Sequence, residues 1–155
     1  MNITNQAIRF IMLNEGMKLT VYKDFGGNLT VGFGHRVISK DNLKFADKIS
    51  EDEATDFLIK DLHTAAEAID SLRLDINQNQ YDALLDFTFN CGVNNLYRLT
   101  KNGCRSPKEI YAALPLYDKC GKNHLKSLHH RRIREQQLWN GTSVDEIFHI
   151  AEKSV

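Results

Sequence analysis

Residues 15–35 read EGMKLTVYKDFGGNLTVGFGH. Around Leu19, Val21, Leu29, Val31 and Phe33 the apolar positions alternate with polar ones, the period of a half-buried strand. Gly26-Gly27-Asn28 splits the run with a turn signal, so a β-hairpin is expected, followed by a short third strand near Val37-Ile38. Immediately upstream the texture is different. Residues 3–14 (ITNQAIRFIMLN) place Ile3, Ala7, Ile8 and Met12 roughly on one helical face, widened by Phe10, Ile11 and Leu13, and Gly16 supplies a stop.

Downstream the pattern is helical. Ser50 followed by Glu53 forms a capping box, and nothing breaks the helix from there to about Leu72. A second apolar helix is expected from about Asn77 to Asn90, ending at Gly92, and Ser106-Pro107-Lys108-Glu109 opens a short helix that Pro115 ends. A basic helix runs from about Leu125 to Trp139 and closes at Gly141, after which Ser143 caps a last helix to about Lys153. One helix, a small sheet and then helices only make an α+β fold rather than a wound α/β sheet. The expected organisation is one domain over 1–155. A small lobe at about 15–50 stands beside a helical lobe at about 1–14 and 73–155, with a connecting helix at about 51–72. A cleft between the lobes is the natural ligand site.

Composition narrows the function classes. The chain has 155 residues, 42% of them apolar and 26% charged, and its 20 basic residues cancel its 20 acidic ones. Zero net charge argues against a general nucleic-acid coat or an anionic-membrane binder. No apolar run is long enough for stable membrane insertion, and the opening Met1-Asn2-Ile3-Thr4-Asn5-Gln6 lacks the basic and apolar regions of an export signal. A soluble chain made in the cytoplasm, and a monomer, is expected. Neutrality conceals polarity: Asp41 to Asp75 holds ten acids against four bases, whereas Lys119 to Arg134 holds six bases and no acid. The basic segment is either a binding surface or a solvated helix with Arg131 or Arg132 tied to acids within the fold. Cys91, Cys104 and Cys120 suit neither a disulfide framework nor a zinc site, and buried or half-buried free thiols are expected, with no metal.

Glu15 breaks a local rule. It ends a helix, where the dipole disfavours a carboxylate, and a carboxylic acid kept protonated is what a general acid requires. Folding the hairpin about Gly26-Gly27-Asn28 brings Asp24 and Thr30 onto adjacent strands, near the end of the first helix. Two carboxylates in a cleft suit glycoside hydrolysis, where a separation of about 6.5–9.5 Å admits a water and inverts the anomeric centre. Thr30 favours the inverting route, since its hydroxyl helps Asp24 hold that water.

Glu15-Gly16, Tyr22-Lys23-Asp24 and the run Thr30-Val31-Gly32-Phe33-Gly34-His35 resemble the signature of phage-type lysozymes, the endolysins that cut bacterial peptidoglycan. The similarity continues through Asn79 to Leu84, Phe89 to Gly92, and Arg131-Arg132, Glu135 and Leu138-Trp139. The resemblance implies a lysozyme-like fold and a muramidase without cofactor that cleaves the β-1,4 bond between N-acetylmuramic acid and N-acetylglucosamine. It assigns Glu15 as general acid and Asp24, aided by Thr30, as the residue that positions water. It also pairs His35 with Asp61 as a structural tie, and points Asn90 and Phe33 at the glycan. Two other readings stand beside it. One is a lysozyme-like module that binds peptidoglycan without cutting it; the other is a nucleic-acid binder using residues 119–134. Without an export signal, the enzyme is expected to reach the wall through a membrane pore or by delivery as an antibacterial effector.

Overall fold

The computed structural model describes residues 1–151. Helix α1 spans Asn5–Glu15, two residues later than the apolar pattern suggests, because Thr4 is its cap and accepts a hydrogen bond from the Ala7 amide. Its inner face buries Ala7, Phe10 and Ile11. Gly16, at φ 71°, gives its amide to the Met12 carbonyl and turns the chain sharply into the sheet.

The sheet is antiparallel, in the order β1 (Lys18–Lys23), β2 (Leu29–Gly32), β3 (His35–Arg36). The turn lies where the glycines place it, with the Asp24 amide bonded to the Asn28 carbonyl at 2.9 Å. The third strand is His35–Arg36 and not Val37-Ile38. Gly34, at φ 80°, reverses the chain at once, so pairing begins at Val31 with His35 and ends where Ile38 caps a tight turn over Ser39–Asp41. The other edge of β1 is covered by the following loop: Ile49 donates to the Leu19 carbonyl and Val21 to the Asp47 carbonyl, both at 2.8 Å.

Helix α2 (Glu51–Ser71) has the expected box, with Ser50 accepting from the Glu53 amide while Glu53 accepts from the Ser50 amide. It carries the sheet at a very close approach, since a Cβ on Gly32 would lie 3.2 Å from the Cβ of Ala54. Helix α3 (Gln78–Cys91) runs through the middle of the protein, buried without interruption from Tyr81 to Thr88. That run includes Asp82 and Asp86, so the core must supply partners for two carboxylates.

Helix α4 (Val93–Thr100), unmarked in the sequence, follows without a side-chain cap directly from Gly92. Helix α5 (Pro107–Ala113) uses the Ser106 box. A second small hairpin, β4 (Lys119–Cys120) with β5 (Asn123–His124), was also not expected; strands of two residues are too short to show a period. Helix α6 is Lys126–Trp139, and α7 is only Val144–Ile147, capped by Ser143. Its expected continuation stops at Phe148, and Lys153 lies outside the described residues. The cysteines also depart from expectation: Cys91 is half-buried, but Cys104 and Cys120 are exposed. No helix of the described residues is long and apolar enough to cross a membrane.

Candidate active site

Glu15 is the last residue of α1, so the stop at Gly16 sets its side chain at the mouth of a groove of about 530 Å³. The groove is walled by Gly34 and Arg36 from the sheet, Asp61 from α2, and Thr88, Phe89 and Asn90 from α3. Glu15 is one-fifth exposed, and its two oxygens face different surroundings. Oε1 accepts from Arg131 Nη1 at 2.7 Å, whereas Oε2 lies 3.2 Å from where a Cβ on Gly34 would stand. Glycine at 34 therefore leaves room for the acid.

Arg131 belongs to α6 and is nearly buried. Its Nε and Nη2 donate to the two oxygens of Asp86 at 2.9 and 2.7 Å, and the remaining nitrogen reaches Glu15. Burial alone would raise the Asp86 carboxyl, but the guanidinium outweighs it and holds the carboxyl below its ordinary range. Neighbouring Arg132 is buried too, donating to Glu135 Oε1 at 2.6 Å and to Asn90 Oδ1 at 2.8 Å. Two of the six bases of the basic segment thus point inward, tied to acids within the fold. Lys119, Lys122 and Lys126 remain exposed.

On the sheet, Tyr22 of β1 pairs with Thr30 of β2, which pairs with Arg36 of β3. Residues directly opposite share a face, and Asp24, two positions beyond Tyr22, follows on that side. One face of the hairpin thus collects Tyr22, Asp24, Thr30 and Arg36. Asp24 Oδ1 accepts from the backbone amides of Asn28 and Gly26, both at 2.9 Å. Those bonds, the Asn28 one first, with help from the Arg36 charge, lower its pKa below the usual carboxylate value. Thr30, 6% exposed, spends its hydroxyl proton on the Asn28 carbonyl at 3.1 Å. The Tyr22 phenol is raised, first by burial and then by the negative charges of Glu15 and Asp24. Both carboxylates are therefore felt at a single hydroxyl.

A family model described as phage lysozyme matches residues 13–135. The chain belongs to the phage lysozyme family. The endolysin of Salmonella phage P22 is 33% identical over 144 residues, spanning 90% of this chain and 98% of that one. The crystal structure of a point mutant of P22 lysozyme superposes with a TM-score of 0.77 at 30% identity, covering 91% of this chain and 99% of that one. An endolysin from Escherichia coli O157:H7 phage FAHEc1 shares the fold at a TM-score of 0.80 and 22% identity, covering 92% and 95%.

The remaining residues singled out in the sequence are placed as follows. His35 Nδ1 lies 2.8 Å from Asp61, and its Nε2 lies 2.8 Å from Asp41, a partner the sequence does not reveal. The ring stacks on Phe57 with centroids 4.2 Å apart. Burial works against charging this imidazole, but the two carboxylates outweigh it and raise its pKa. Asn90 lines the groove, and with Oδ1 held by Arg132 its amide NH₂ is the end left for a ligand. Phe33 is 7% exposed and packs in the core, away from the groove.

Sequence reasoning does not single out Arg131, Arg36 or Tyr22 as site residues, yet two of the three carry a signal. Counting back from Leu138 and Trp139 by helical steps, the core stripe of α6 arrives at Glu135, Arg132 and Arg131. Charged residues on a core stripe announce a buried network. Tyr22 stands two residues before Asp24 in a strand, hence on the same face.

Proposed function

We propose that this chain is an inverting N-acetylmuramidase that cleaves the β-1,4 bond between N-acetylmuramic acid and N-acetylglucosamine. Membership of the phage lysozyme family makes it a glycoside hydrolase acting on bacterial peptidoglycan; the bond, the stereochemistry and the residue roles are our reading. In that reading Glu15 gives its proton from Oε2, the oxygen that Arg131 leaves free, to the departing glycosidic oxygen. Asp24 stays ionised because the turn amides donate to Oδ1, and its Oδ2 takes a proton from the attacking water. Thr30, whose own proton is committed to Asn28, offers that water a lone pair. The oxygen of the water bonds to the anomeric carbon as the glycosidic bond breaks, giving a product of inverted configuration.

The observation that carries the reading is the seating of Glu15 in the groove, one oxygen held by Arg131 and the other clear beside Gly34, with Asp24 fixed by the turn amides at the end of the neighbouring hairpin. Because its relatives are phage endolysins, we also infer release to the wall during phage lysis, through a membrane pore, rather than delivery by a secretion machine.

The test is proton NMR of the products at early times, alongside release of reducing ends from purified walls. The α-anomer is expected first, and Glu15→Gln should lose activity by about 10²–10⁴-fold, the range for removing a general acid, while staying folded. A β-anomer released first would overturn the inverting route. A Glu15→Gln protein that clears walls at near wild-type rate would overturn the assignment of the acid.

A further inference from the structure

The groove is acidic, since Glu15 and Asp61 both line it. Its cations are mostly committed: Arg131 to Asp86 and Glu15, and the His35 ring to Asp61 and Asp41. Arg36 is different. Among the described residues it is the one cation that lines the groove, it is exposed, and no hydrogen bond or ion pair holds its guanidinium. The other arginines around the site, Arg131, Arg132 and Arg134, are each bonded within the fold. A free guanidinium beside fixed carboxylates suits an anionic ligand group, because its planar fork takes a carboxylate in two hydrogen bonds without breaking an internal one.

Register says which part of the substrate it meets. Arg36 pairs directly with Thr30, on the face that carries Asp24. Resting on the muramidase reading above, the sugar attacked beside Asp24 and Thr30 is the muramic one, and that sugar alone carries a lactyl ether. We propose that Arg36 is a specificity-determining residue that binds a carboxylate borne on the lactyl arm of the muramic sugar at the scissile bond. The carboxylate has two sources, the lactyl group itself where the peptide has been removed, or the stem peptide where it is intact.

The test compares KM and kcat for wild type and Arg36→Gln by release of reducing ends from three substrates. These are walls with intact stem peptides, glycan strands stripped by an amidase, and either of these after carbodiimide coupling to methylamine, which neutralises the carboxylates. Losing a charge-assisted pair should raise KM about tenfold or more on an anionic substrate, with a smaller change in kcat. On the neutralised substrate the gap between variant and parent should narrow at least threefold, and Arg36→Lys should keep part of the affinity. A loss on stripped strands identifies the lactyl carboxylate, and a loss confined to stem-bearing walls identifies the peptide. An undiminished gap on neutralised glycan would overturn the proposal, and so would an equal effect of Lys122→Gln, which removes an exposed charge on the β4–β5 turn. Absence of reducing ends with the wild-type protein would defeat the muramidase reading itself, and this proposal with it.

Discussion

Arg131 Nη1 donates to Glu15 Oε1 at 2.7 Å while the rest of the same guanidinium grips the fully buried Asp86. One side chain from α6 therefore fixes the proposed acid on α1 and neutralises a charge in α3. Arg131→Met leaves the buried Asp86 carboxylate without its cation and with only the 3.3 Å bond from Asn14 Nδ2, and breaking a buried pair from one side costs about 3–5 kcal/mol. Asp86→Asn removes the stranded charge instead and leaves Arg131 on Glu15. Urea denaturation should therefore place Asp86→Asn well above Arg131→Met in stability, and reducing-end assays should find activity in the former and little in the latter. Equal stability of the two variants would mean that Asp86 is not held by that pair.

His35 gives a dependence on pH whose sign follows from its two partners. Its raised pKa means that its contribution to stability is complete below its ordinary value of 6.5 and is lost as pH rises through the folded value. Asp41, which burial would raise but which its bonds from the Ile38 amide and His35 lower, contributes fully above its ordinary 3.8 and less as pH falls through the folded value. The two windows overlap between 3.8 and 6.5. Denaturation of wild type and His35→Asn should differ most at about pH 5 and clearly less at about pH 9. Loss of the stack on Phe57 adds a constant offset. A difference that does not change with pH would show that the imidazole is not charged in this cluster.

How much of this was legible in the sequence depended on range. Local chemistry read well: the Ser50 and Ser106 boxes, the Gly16 and Gly92 stops and the turn at residues 26–28 lie where residue types put them. Glu15 is conspicuous because it offends the helix dipole, but the cation that answers it comes from 116 positions away, and its place on the α6 core stripe does not say which acid it meets. Asp41 is only six positions from His35, but the short turn over Ser39–Asp41 that folds it back has no periodicity to show it. Phe33 is different: the resemblance alone points it at the glycan, and in the fold it lies between Gly32 and Gly34, buried in the core. Helix α4 escaped because Val93, Asn94 and Asn95 are indifferent helix formers with no cap before them; the burial of Leu96 and Leu99 holds it in place.

Gly32 and Gly34 make a paired test of fold against site. Both have positive φ, 69° and 80°, so an alanine at either should cost about 1–2 kcal/mol from backbone strain alone. Their surroundings differ. The new methyl at 32 meets the backbone and Cβ of Ala54 at 3.2–3.3 Å, whereas at 34 it meets Glu15 Oε2 at 3.2 Å. Gly32→Ala should therefore lose more stability, and Gly34→Ala should lose activity out of proportion to its stability. Melting curves and reducing-end rates on the two proteins check this, and parallel losses in both would contradict it.

Glu135 is fully buried beside Arg132, with Oε1 bonded at 2.6 Å and Oε2 without a hydrogen-bond partner among the described residues. Burial, reinforced by the neighbouring Asp86 charge, raises its pKa well above the ordinary carboxyl value. An acid raised by folding contributes most below its unfolded value of 4.5, and the contribution fades as pH climbs through the folded value. Glutamine mimics the protonated form and does not titrate. Glu135→Gln should thus lose little stability near neutral pH and show a flatter decline towards alkaline pH than wild type. Glu135→Ala, which opens a cavity and takes the Oε1 acceptor from buried Arg132, should lose about 2–5 kcal/mol. The decisive comparison is the denaturation midpoint of the two variants across pH: if glutamine is as damaging as alanine, the charge on Glu135 rather than its shape holds Arg132, and a neutral Glu135 is ruled out.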